Sequence, residues 1–328
     1  MKKSLVLTLL LSLAAATALL AFNKGGRTSF QFAKIGVGAR QAGMGEACIA
    51  VVRDVNAVYW NPANIGGLKS GEAAFSYARW FADLNYLSAA AGWRWNRVGI
   101  FALSFAGLDY QDLEEALVTS PTGAADTRTG STFTGGDLQF GLTFAREFTD
   151  KLTIGLSAKY FREELFTYGA GLLAFDVGTY YQTGFKGFRI AMSAQNFSTG
   201  SVSWLGKDKS DRIEGYEMPL IYRIGTAFDL VSGDNGFINL GPAHYLQLSL
   251  DAINTNDYGE RYHLGGEYWY NHLFAFRCGY RFNYEEGNLG LGVGLRQQIS
   301  GMNLQLDYAF VNYQYLDSPH RFSLLISF

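Results

Sequence analysis

From residue 73 onward the chain consists of segments about ten residues long in which every second side chain is apolar. In Asp137-Leu138-Gln139-Phe140-Gly141-Leu142-Thr143-Phe144 the apolar residues alternate with polar residues or glycine, and Asn303-Leu304-Gln305-Leu306-Asp307-Tyr308-Ala309-Phe310 repeats the pattern. A period of two is that of a β-strand whose faces meet different surroundings. The alternation predicts strands over 73–81, 85–95, 98–108, 136–148, 152–166, 171–185, 188–197, 220–230, 245–253, 261–270, 273–284, 289–299, 302–311 and 321–328.

Such strands suit a soluble sandwich or a barrel in lipid, and length and connections decide between them. A tilted strand needs ~9–11 residues to cross a bilayer, against ~5–6 in soluble sheets. With both barrel ends on one side, the turns on that side, such as Asn96-Arg97, Asn271-His272 and Ser300-Gly301, are very short. The opposite side carries the two longest connections, Asp109 to Gly135 and Ser198 to Pro219. That asymmetry is the habit of bacterial outer-membrane barrels. The connection from Val231 to His244 breaks it, being long on the short-turn side. The expected fold is therefore all-β and transmembrane: a fourteen-stranded antiparallel outer-membrane β-barrel over 71–328.

Composition agrees. Glycine (39 residues), tyrosine (20) and phenylalanine (25) are abundant and only 17% of residues are charged, unlike an average soluble domain. Trp93, Trp95, Tyr180, Tyr181, Tyr268, Trp269 and Tyr270 near strand ends read as interfacial girdles. The charges within strands fall mostly on the face opposite the large apolar residues: Asp137, Lys159, Asp176, Arg189, Arg223, Asp229, Asp251, Glu267, Arg277, Arg281, Arg296 and Asp307. A lysine or arginine at the lipid midplane costs about 2–4 kcal/mol, so these point into the lumen, where their mixed signs suit a paired network. A net charge of −2 offers no basic surface for nucleic acid. Cys48 and Cys278 could form one disulfide in an oxidising compartment, but nothing in their spacing asks for it, and they read as small buried or lipid-facing apolar residues.

Residues 1–21 have the positive start, apolar centre and small residues of a secretory signal peptide. Residues 22–70 do not alternate and are expected to form an N-terminal hatch, a plug of short helices, because a barrel of fourteen strands is too wide to be filled by its own side chains. Asp54 is placed to cap a short helix ending at Trp60. Asn61 caps a second, with Pro62 in its first turn and Gly66-Gly67 as its stop. Arg40 and Arg53 are available to inward acids such as Asp137, Asp251 or Asp307.

The hatch also carries a resemblance. Its first half contains Gly36, Gly38, Arg40, Gly43, Met44 and Gly45, and its second runs from Ala50 through Asp54, Tyr59, Trp60, Asn61 and Pro62 to Ala63. The segment is similar to the N-terminal signature of the PorV/PorQ family, within the wider FadL-like group of fourteen-stranded barrels. The resemblance implies transport across or into the outer membrane, with hydrophobic small molecules passing a hatch-gated lumen. Its alternative is a type IX secretion-associated barrel working with secretion-system proteins, and a purely structural barrel is the third reading. The other partners expected are outer-membrane lipid and the barrel-assembly machinery, for which the terminal aromatic Phe328 serves as a signal.

No enzyme is expected. The four histidines are scattered, with no nucleophile motif or metal-ligand spacing, and no cofactor is called for. His263 and Glu267 are expected side by side in the lumen. The glycines from Gly287 to Gly294 alternate as a strand and make room for the plug.

Overall fold

The computed structural model describes residues 26–118, 126–206, 212–233 and 236–328. The leader assigned to 1–21 and the first four residues of the expected hatch lie outside the described residues. The strands are β1 (Gly71–Arg79), β2 (Asn85–Trp95), β3 (Gly99–Asp109), β4 (Leu113–Val118), β5 (Asp126–Phe133), β6 (Gly135–Glu147), β7 (Leu152–Leu165), β8 (Tyr168–Gln182) and β9 (Arg189–Ser198). They continue as β10 (Val202–Leu205), β11 (Arg212–Tyr216), β12 (Ile221–Val231), β13 (His244–Thr255), β14 (Arg261–Tyr270), β15 (Phe274–Phe282), β16 (Leu289–Ile299), β17 (Met302–Val311) and β18 (His320–Ser327).

Fourteen of these form one closed antiparallel sheet in the order β1-β2-β3-β6-β7-β8-β9-β12-β13-β14-β15-β16-β17-β18. The first and last strands close it, from Glu72 opposite Ser327 to Arg79 opposite His320. Gly71 and Phe328 exchange backbone hydrogen bonds at the end of this seam. The strand count and the closure are those the alternation predicts. The two long connections are not simple loops: β4 pairs with β5 as a separate hairpin, and β10 pairs with both β11 and the outer end of β8.

Alternation sorts the faces as expected. Leu138, Phe140 and Leu142 point outward and stay exposed, whereas Asp137, Gln139 and Thr143 are buried inside. The girdle reading needs correction at two positions. Trp93, Trp95, Tyr181 and Tyr270 are exposed, but Tyr180 and Trp269 are buried in the lumen. Neighbours along a strand face opposite sides, so a run of adjacent aromatics cannot all meet lipid.

The long connection after β12 also has a physical cause. β9 joins β12 no lower than Ala227 opposite Arg189, which leaves Asp229 to Val231 with an open edge. The Lys186 carbonyl takes the Asp229 amide, while Phe237 and Ile238 donate to the Asp229 and Leu230 carbonyls. The connection thus covers an exposed strand edge, which would otherwise be a template for mispairing.

Candidate functional site

Apart from the connection between β12 and β13, the rim holding both barrel ends carries short turns, and the other carries the long loops; the site is built between them, where residues 26–70 run inside the barrel. Local chemistry folds this segment. Asp54 accepts from the Asn56 amide (3.0 Å) to cap a short 3-10 helix, Val55–Tyr59. Asn61 accepts from the Ala63 amide (3.1 Å) to cap a second, Pro62–Gly67, with proline in its first turn. The Asn61 side chain also donates to the Thr179 carbonyl of the wall (3.0 Å), so one residue starts a helix and docks it. Trp60 is buried and donates to the Val37 carbonyl (3.1 Å), and the Tyr59 hydroxyl lies 2.7 Å from the Ala89 and Phe105 carbonyls. Ala63 is buried beside Met44.

Glycines let this backbone touch the wall. A Cβ on Gly279 would lie 2.0 Å from the Met44 carbonyl carbon, and one on Gly43 would lie 2.9 Å from Gly292. Gly290 meets the Ala42 carbonyl in the same way, so part of the glycine run in β16 faces the filled lumen as its pattern implies. Gly38 and Gly45 adopt φ of 97° and 60°, flanking the one-turn helix α1 (Ala39–Gly43). Gly36 lies against Glu46 and Trp60, and its carbonyl accepts from Arg321.

The inward charges form a paired network on mostly different partners from those expected. Arg40 binds Glu267 through Nε (2.7 Å) and Nη2 (2.9 Å), and Asp54 through Nη1 (3.0 Å), not Asp137, Asp251 or Asp307. Arg277 bridges Glu267 and Asp307, each at 2.8 Å. Lys159 pairs with Asp176 (2.5 Å), Arg189 with Asp229 (2.7 Å) and Arg281 with Glu46 (3.3 Å). Asp251 accepts the Cys48 and Ile49 amides (2.7 and 3.0 Å). Arg53 stacks on Tyr180, Arg223 on Trp60, and Arg296 on Trp269 while bonding Gln305. His263 does not bond Glu267 but the Tyr284 hydroxyl (2.9 Å). Cys48 is buried in the lumen, Cys278 faces outward, and both are free.

Near the long-loop rim the lumen changes character. Phe30 and Phe32 pack on inward Phe161, with ring centroids 5.9 and 5.8 Å away, amid Ala106, Leu108 and Ala174. Beside them opens a cavity of about 340 Å³ walled chiefly by Phe32, Ile35, Trp80, Phe81, Leu84 and Tyr110, with Asp137 and Glu163 on one side. Of these residues only Asp137 stands out in the sequence as an inward charge. Glu163 was legible from the alternation of β7, where Lys159 and Phe161 also point inward. The aromatic wall was not, because it gathers residues from the N-terminal segment, the β1–β2 loop and the end of β3.

The chain of this segment is tied to the loops above the cavity. Thr28 and Lys34 both reach Asp257 Oδ2, at 2.9 and 2.5 Å. Burial pushes the Asp257 carboxyl up, but the hydrogen bond and charge of Lys34, with Thr255 and Thr28, outweigh it and hold the group below its ordinary value. A lowered native pKa contributes stability that is full above the unfolded value of about 3.9 and is lost as pH falls through the native one. Residues 28–34 are therefore expected to lose amide-exchange protection, measured against the intrinsic rate at each pH, in acid below that range, and Asp257→Asn should reproduce the loosening at neutral pH. Equal exchange in the variant and wild type would remove Asp257 as the tether.

No protein-family model matches the chain, and no curated protein matches its sequence. Its architecture is shared with solved outer-membrane channels. The toluene transporter TbuX of Ralstonia pickettii is 14% identical, with 89% of this chain and 97% of that one covered and a TM-score of 0.55. The toluene transporter TodX of Pseudomonas putida is 12% identical over 89% and 97%, with a TM-score of 0.58. A FadL homologue of Pseudomonas aeruginosa is 9% identical over 89% and 98%, with a TM-score of 0.52. These likenesses establish the fold alone: the chain shares the closed antiparallel barrel architecture of these outer-membrane proteins.

Proposed function

We propose that this protein is an integral outer-membrane barrel that admits small hydrophobic molecules from the long-loop side, with residues 22–70 as a hatch that gates the lumen. The observation carrying the reading is the aromatic cavity of about 340 Å³ between that segment and the long loops. Ligand sites are concave and largely apolar with a few polar groups, and this cavity has that make-up. The solved channels of the same fold include proteins described as toluene transporters, which supports the class of cargo.

Beyond the cavity the path is filled. Arg40, Asp54, Glu267 and their partners occupy the lumen towards the short-turn rim, so transit of cargo requires the hatch to shift or the cargo to leave sideways. The hatch is seated by apolar packing as well as by hydrogen bonds and ion pairs, so a shift of it must part Val55, Val58, Trp60 and Ile65 from Ala74, Ala90, Ile100 and Ala102 of the wall.

The test is delivery of toluene, against glucose, into vesicles carrying the full chain. Toluene is expected to enter faster, and Leu84→Trp, which fills the cavity from the β1–β2 loop, to cut its entry severalfold without altering barrel insertion. Entry of both solutes at the rate of protein-free vesicles would overturn the conduit. The secretion role that the PorV/PorQ resemblance implies rests on the N-terminal signature, and capture of secretion-system proteins with an inert lumen would favour it.

A further inference from the structure

Most acids in the lumen have a cation or a pair of amide donors, whereas at the aromatic cavity Asp137 has neither and Glu163 has a single amide and a hydroxyl. Asp137 and Glu163 lie directly opposite one another in the β6–β7 ladder, on the inward face. Neither makes an ion pair among the described residues. Like charges directly opposite on one face of a sheet are destabilising, so the wall carries an unfavourable pair.

Their hydrogen bonds leave capacity facing the cavity they line. Tyr110 donates to Asp137 Oδ2 (2.9 Å), and Oδ1 is buried without a partner although the residue is only 2% exposed. Glu163 Oε2 accepts the Phe30 amide (2.9 Å) and the Ser29 hydroxyl (3.2 Å), and its other oxygen makes no hydrogen bond among the described residues. Arg321 stacks on Trp80 at the cavity's edge, but it donates to the Gly36 carbonyl and to neither acid. A buried carboxylate oxygen without a donor is costly, and the natural remedy is a ligand that brings one.

We propose that the cavity takes organic ammonium compounds, an apolar or aromatic body carrying one protonated amine, with the ammonium between Asp137 and Glu163 and the body against Phe32, Ile35, Trp80 and Phe81. This rests on the hydrophobic-conduit reading and narrows its cargo. The two acids supply charge and acceptors, the aromatic rings of Phe81 and Tyr110 favour a cation near them, and the remaining wall buries the hydrocarbon. A bare metal ion would leave the apolar part of a cavity this size unused, and among the described residues no group of metal-ligating side chains is assembled.

The experiment is calorimetric titration of the full chain in detergent with 2-phenylethylammonium, 2-phenylethanol, ethylbenzene and calcium. The ammonium is expected to bind about tenfold or more tighter than ethylbenzene or the alcohol, as a desolvated charge pair with aromatic contact allows. Asp137→Asn and Glu163→Gln, both near-isosteric, should each shrink that advantage, and the double variant should erase it. If the alcohol matches the ammonium, or ethylbenzene exceeds it, the charge assignment is overturned and the hydrophobic site stands. Calcium binding that displaces the amine overturns it in favour of an inorganic cation. If none of the organic probes binds, and Leu84→Trp behaves as wild type, both this inference and the conduit reading fail.

Discussion

Replacing Gly279 by valine should convert a filled barrel into a leaky one. A Cβ at this position would sit 2.0 Å from the Met44 carbonyl carbon, 2.1 Å from its oxygen and 2.2 Å from the Gly45 nitrogen. All three atoms are backbone, so no side chain can rotate away. Overpacking a core costs about 1–3 kcal/mol, and a clash with fixed backbone belongs at the upper end or above it. At about 1.4 kcal/mol per tenfold, that shifts the ratio of seated to displaced segment by about a hundredfold. The sheet can accept the residue, since β-branched side chains suit strands. Planar-bilayer recordings should therefore show larger and more frequent conductance steps, while insertion and resistance to detergent unfolding persist. Gly200→Ala, where an added Cβ meets nothing within 4 Å, is the control. Wild-type conductance in Gly279→Val would show that this contact does not hold the lumen shut.

Glu267→Ala should release the same segment by a different route. The Glu267 carboxylate is fully buried and accepts from Arg40, Arg277, Gln247 and Trp269. Without it, Arg277 keeps Asp307 and Arg40 keeps only Asp54. Removing one member of a buried ion pair costs about 3–5 kcal/mol, because the remaining charge is left desolvated and unmatched. Limited proteolysis should cut within residues 26–70 in the variant and not in the wild type. Arg40→Met combined with Glu267→Gln should be milder than the sum of its parts, because the stranded charge is removed with its partner. Strict additivity would mean that Arg40 and Glu267 do not act as a pair.

The sequence made the barrel legible because its signal is local. Lipid demands an apolar outer face and the lumen tolerates the rest, so each strand declares itself within ten residues, as β6 and β17 do. The caps at Asp54 and Asn61 are equally local. Pairings across the lumen are not. Arg40 was matched to Asp137, Asp251 or Asp307, yet it meets Glu267, 227 positions away, and nothing near either residue encodes how the segment seats. The Gly, Ser and Thr content of the two long connections hid their hairpins, and the reach from Val231 to His244 made sense only once the bare edge of β12 was visible. The aromatic cavity was hardest of all, since Phe32, Trp80 and Tyr110 look like unrelated loop residues until the barrel closes around them.

The seam between β1 and β18 has a consequence for how the molecule is made. The segment inside the barrel comes before β1 in the chain, but several of its partners come last: Ala39 donates to Ser323, 284 positions on, and Arg321 donates to Gly36, 285 positions back. During synthesis and export the segment must wait for almost the whole chain before these contacts exist, and contacts of such long range form slowly. One strand thus both completes the wall and supplies partners to the segment inside it, so closing the barrel and seating its contents depend on the same eight residues.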